Sequence, residues 1–65
     1  MYKVETTINE VYKYYKTFVD FKEALKYYKK EMKDNIDIEN VTIKVFQVCA
    51  NDKEDLLREC NMIAL

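Results

Sequence analysis

Histidine, serine, glycine, proline and tryptophan are all missing from the 65 residues. Each absence removes a mechanism. Without histidine there is no ordinary general base near neutrality, no Ser-His or Cys-His pair and no imidazole ligand for a metal. Without glycine there is no phosphate-cradling loop, because such loops need backbone that takes positive φ and closely approaches the phosphate. Catalysis by cysteine would have to rest on lysines alone to form the thiolate. The chain is therefore expected to be no enzyme and to hold no cofactor and no metal.

Cysteine is scarce as well. Cys49 and Cys60 are too few for a disulfide scaffold, and their spacing fits neither a CxxC redox pair nor a zinc site, so two reduced, inert thiols are expected. The acidic stretch 34–40 lacks the glycine and the closing glutamate of a calcium loop. No apolar run approaches the length of a membrane span, and Met1-Tyr2-Lys3-Val4-Glu5 is not the start of a signal peptide, which points to the cytoplasm.

What is present is a folding composition: 49% hydrophobic and 35% charged residues, well away from that of disorder. A chain of 65 residues makes one domain, residues 1–65, and buries only about 60% of its unfolded surface. A homodimer or another complex that covers apolar surface is one expectation from this size.

Tyr2, Val4, Thr6 and Ile8 alternate with Lys3, Glu5 and Thr7, the period of a half-buried strand. Asn9-Glu10 is the expected turn, and Val11 to Phe18, rich in aromatic and β-branched residues, the returning strand. That second strand carries Tyr12, Tyr14 and Phe18 on one face and Val11, Lys13, Tyr15 and Thr17 on the other. Aromatics on both faces suggest that something covers or uses the second one.

Asp20 and Glu23 form a D-x-x-E capping box, with Val19 and Ala24 placed as a hydrophobic staple, so a helix starts after Asp20. Its apolar stripe is Phe21, Ala24, Leu25, Tyr28 and Met32. It ends near Asp34-Asn35, with Asn35 suited to a left-handed cap. Val41 to Ala50 reads as a third strand, with Val41, Ile43 and Val45 on one face and Phe46 and Val48 on the other. Asn51 and Glu54 make a weaker cap, after which Leu56, Cys60, Ile63 and Ala64 share a helical face. The expected fold is α+β, in the order β-β-α-β-α. Its three-stranded antiparallel sheet has strand order 2-1-3, with one main helix on one face and a short C-terminal helix.

Two surfaces carry the functional expectations. The first is a protein-binding surface of Tyr12, Tyr14, Tyr15, Lys13, Lys16 and Tyr27, with Tyr14 and Tyr27 expected at the surface and an edge strand open to β-augmentation. The second is an anion-binding stripe of Lys22, Lys26, Lys29, Lys30 and Lys33 along the main helix, for nucleic acid or an acidic protein. Lys22, Lys26 and Lys30 are i,i+4 neighbours of like charge, an arrangement helix stability alone does not favour.

The charge is divided. Residues 1–33 hold eight lysines against five acids, and residues 34–65 three basic residues against seven acids, which sums to a net charge of −1. A single arginine and this balance suit complementary protein docking better than a dedicated nucleic-acid binder, which makes the nucleic-acid reading the alternative. The short, lysine-, asparagine- and tyrosine-rich hairpin-helix-strand chain resembles the small proteins that phages of low-GC bacteria encode to bind and disable host or defence proteins. That resemblance implies an inhibitor acting by surface occlusion in the host cytoplasm and assigns no particular residue.

Overall fold

The computed structural model describes residues 1–38 and 40–63. The first alternation becomes strand β1, Tyr2–Ile8, with Val4 and Thr6 fully buried on one face. The chain reverses through Ile8–Val11, closed by a 3.1 Å bond from the Val11 N–H to the Ile8 carbonyl, and returns as β2, Tyr12–Phe18. Asn9 and Glu10 both take positive φ, 53° and 62°, as a type I′ turn requires. Asparagine tolerates this region and glutamate does not, so Glu10 stores strain of about 1–2 kcal/mol. Glu10→Gly should remove most of it. After glycine's own entropic cost the gain is roughly 0.5–1 kcal/mol, seen as a melting temperature about 3–6 °C higher. An unchanged or lower value would contradict the turn geometry.

Helix α1, Phe21–Asp34, begins where the capping residues place it: the Asp20 carboxylate accepts the Lys22 N–H at 2.9 Å. The staple does not form: Val19 is 85% exposed, whereas Ala24 is fully buried. Ala24 and Tyr28 are buried, and Phe21, Leu25 and Met32 pack around them, so the apolar stripe lies on the sheet as its spacing requires. The C-terminal cap differs from expectation. Asn35 has φ −108° rather than a left-handed conformation, and its side-chain amide instead donates to the Glu31 carbonyl at 2.7 Å and to the Glu31 carboxylate at 2.8 Å. Satisfying two acceptors one turn back makes the left-handed geometry unnecessary.

Strand β3, Asn40–Val48, buries Val41, Ile43 and Val45 completely. The segment expected as a C-terminal helix is instead a strand, β4, Glu54–Ile63. Asn51, read as a helix cap, accepts the Lys53 N–H at 3.2 Å within a tight turn, with Asp52 at φ 63° and the Asp52 N–H bonded to the Cys49 carbonyl. A bulge opposite Val45/Phe46 shifts the phase of β4, so Leu56 pairs with Phe46 on one face while Cys60 and Met62 pair with Ile43 and Val41 on the other. The shift mimics a helical period. Ala64, the last residue of the expected helical face, lies outside the described residues, as does Glu39 in the acidic stretch.

The result is an α+β fold with a four-stranded antiparallel sheet of order β2-β1-β3-β4. The expected 2-1-3 neighbours are present and a fourth strand extends them. Because β2 and β3 flank β1 and both run against it, α1 must cross over β1. It rests on β1, β3 and β2, and no element of the described residues covers the opposite face of the sheet, which is bare in that sense.

Candidate functional site

That bare face is built from the residues whose side chains alternate away from the helix. The strand register sets them in rows. One row runs Thr17, Lys3, Phe46, Leu56; the next runs Tyr15, Glu5, Lys44, Glu59; a third runs Lys13, Thr7, Thr42, Asn61. Tyr15 is 63% exposed and Leu56 50%, with Phe46 half-buried beside Leu56 in the first row. Lys3 is the hub. Its ammonium lies 5.4 Å from the Tyr15 ring centre and 5.1 Å from that of Phe46, bonds to Glu54 at 2.7 Å, and approaches Glu5 at 3.7 Å. Lys13 reaches the other oxygen of Glu5 at 3.8 Å. The hydrogen bond to Glu54 holds the Lys3 ammonium above its ordinary pKa, against the opposing effect of burial.

Lys3 and Glu5 are well sheltered for charges on an uncovered face, with side-chain exposures of 15% and 16%. Their charges are spent on one another and on the rings, so the face presents an aromatic and aliphatic centre with a charge-balanced surround. An apolar anchor flanked by satisfied polar groups is the anatomy of a protein-binding patch.

The six residues expected to bind a partner do not form one surface. Tyr15 and Lys13 are on the bare face, whereas Tyr12, Tyr14 and Lys16 point to the helix side of β2 and Tyr27 belongs to α1. Tyr12 is 63% exposed, its ring 5.6 Å from that of Tyr14. Tyr14 and Tyr27 are half-buried rather than free at the surface. The Tyr14 hydroxyl donates to Glu31 at 2.7 Å, and the Tyr27 ring packs against Phe18 at 5.3 Å.

Burial pushes the Tyr27 phenol up to about 12, with the Glu31 carboxylate adding to the effect. Tyr14 is raised by burial and then by Glu31, and Tyr28 by burial. Raised phenols stabilise the fold below the unfolded tyrosine value near 10, and that contribution is lost as pH climbs through the folded values. Stability should therefore fall steadily between pH 10 and 12, and Tyr27→Phe should flatten part of that fall. Urea midpoints measured across this range check it; an identical decline in the variant would refute the assignment to Tyr27.

All five helical lysines, Lys22, Lys26, Lys29, Lys30 and Lys33, are exposed. Lys26 and Lys30 line an open groove of about 180 Å³ between β2 and α1, together with Lys16, Phe18, Glu23 and Tyr27. Lys16 lies over the rings of both Phe18 and Tyr27, at 5.6 and 5.3 Å.

Phe46, Leu56 and Lys3 were not among the expected site residues. The off-core position of Phe46 was readable from the alternation of its strand. That of Leu56 is not, because its spacing from Cys60 and Ile63 is that of a helix while the residues form a bulged strand. Cys49 and Cys60 are unbridged and half-buried. Among the described residues, no cluster of three His, Cys, Asp or Glu side chains could hold a metal ion, and no helix is long and apolar enough to cross a membrane. Comparison with known protein families, with curated proteins and with solved structures gives no match for this chain.

Proposed function

We propose that this chain is a non-enzymatic protein-binding module that acts in the cytoplasm and occludes a surface of its partner, as phage-type inhibitors do. The partner docks on the bare sheet face, with Tyr15, Phe46 and Leu56 as anchors. The observation that carries this reading is the placement of the Tyr15 and Phe46 rings about Lys3, with Leu56 paired to Phe46 and Lys3 itself paired to Glu54. Large, rigid aromatic groups in such a setting supply contact area at small entropic cost. The partner should present an apolar knob or strand with a mixed-charge margin.

A second reading, binding of a nucleic acid along α1, draws support from the groove in which Lys16, Lys26 and Lys30 surround Phe18 and Tyr27. It is the weaker of the two, because Glu23 shares the groove and the chain as a whole is acidic. Salt and nuclease separate them. Immobilised domain should retain its partner from a nuclease-treated lysate of the encoding cell, with little loss as salt is raised. Loss of capture on nuclease treatment, or an affinity falling steeply with salt, would favour the groove instead.

A further inference from the structure

Strand β4 is one margin of the sheet, and α1 rests on the other three strands. Two bonds at the ends of the β1–β3 ladder fix the direction of its backbone groups. The Asn9 N–H donates to the Asn40 carbonyl at 2.7 Å and the Val48 N–H to the Met1 carbonyl at 2.8 Å, so the even-numbered residues of β3 bond to β1 and the odd-numbered ones to β4. Arg58, Cys60 and Met62, which pair with Val45, Ile43 and Val41, therefore use their backbone groups on β3. The N–H and C=O groups of Glu59 and Asn61 point outward.

Natural edges are guarded by charge, proline and bulges. Here the charges Glu54, Asp55, Arg58 and Glu59 and the bulge all fall in the first part of β4, and Cys60–Ile63 carries no charge and no proline. We infer that β4 pairs with β4 of a second copy of this chain, antiparallel about a two-fold axis at Cys60, to give one continuous sheet. Opposed side chains in such a pair must share a face, so the axis can pass only through a residue position. Centring on Arg58 or Glu59 would oppose like charges, and centring on Asn61 would set Glu59 against Ile63. Centring on Cys60 sets Glu59 against Asn61 and Arg58 against Met62, with no like pair opposed. It also puts the two Cys60 side chains in a pair without backbone bonds, where opposing side chains approach most closely.

The motive is the size of the domain. Its fully buried apolar side chains are few (Val4, Ala24, Val41, Ile43 and Val45), and Cys60 and Met62 of β4, though packed against that core, stay only half-buried. The inference is independent of the partner-binding reading, since it uses the edge and not the face.

Sedimentation of the reduced, full chain over a wide concentration range tests it. Wild type should show a concentration-dependent dimer. N61E sets a carboxylate against Glu59 of the second copy and should weaken the dimer about tenfold, whereas N61K should tighten it by a similar factor, the pair occurring twice. Mild oxidation should give a disulfide-linked dimer in Cys49→Ser and none in Cys60→Ser. A monomer at millimolar concentration, equal responses to N61E and N61K, or linkage through Cys49 alone would overturn the proposal. The N61K and oxidation arms hold even if N61E fails to fold.

Discussion

Ile43→Ala should cost about 2–5 kcal/mol, the range for removing a large buried aliphatic side chain where the surroundings cannot collapse into the space. Ile43 is fully buried at the centre of β3, between β1 and β4, facing Thr6 on one side and Cys60 on the other. A chain of this length has a total stability of roughly 3–10 kcal/mol, so the variant should be partly unfolded at room temperature. Ile36→Ala is the control. Ile36 is 66% exposed, and its loss should shift stability by no more than about 0.5 kcal/mol. Urea denaturation with an unchanged slope reads both. A loss below about 1 kcal/mol at Ile43 would mean that the sheet does not pack as described.

Phe46→Glu should have the largest effect on binding and a much smaller one on folding. Aromatic anchors at the centre of protein interfaces contribute about 2–4 kcal/mol on truncation, which is roughly 30- to 1000-fold in affinity. A carboxylate at this site would add the penalty of a charge facing an apolar partner surface, and would turn the Lys3 ammonium away from the Tyr15 ring. Folding survives because Phe46 lies on the face away from the helix, outside the core of Val4, Val41, Ile43 and Val45. Leu56→Ala, at the end of the same row, should act in the same direction with about tenfold effect.

Elements with one uninterrupted period were legible in the sequence. β1 and α1 show theirs from end to end, and the Asp20 cap and the Asn9-Glu10 turn lie where their residue types place them. β4 was hidden by a single extra residue. The bulge leaves Leu57 without a partner in the ladder and changes the face on which the following residues fall, so the helical spacing of Leu56, Cys60 and Ile63 belongs to no helix. The fate of Asn51 follows from the same cause: asparagine caps a helix or a turn by one and the same local bond, and only the pairing of the following residues with β3 decides between them.

The candidate face was half legible. The alternation of β2 sets Tyr15 on a second aromatic face and that of β3 sets Phe46 opposite Val41, Ile43 and Val45, but their association needs the register that brings both beside Lys3. The tyrosines of β2 are grouped as one binding surface in the sequence, although their alternation already divides them between two faces. A strand divides such a run between its two faces, and Tyr12 and Tyr14 fell on the helix side, where Glu31 takes the Tyr14 hydroxyl.

The most direct test sets the two faces against each other: the affinity of the captured partner for Phe46→Glu and for the double variant Lys26→Glu/Lys30→Glu, each first shown to be folded. The bare sheet face as the binding surface predicts a loss of at least about 30-fold for Phe46→Glu and a change within a few-fold for the lysine variant. Undiminished binding by Phe46→Glu, with binding lost in Lys26→Glu/Lys30→Glu, would contradict it and place the partner on the groove beside α1.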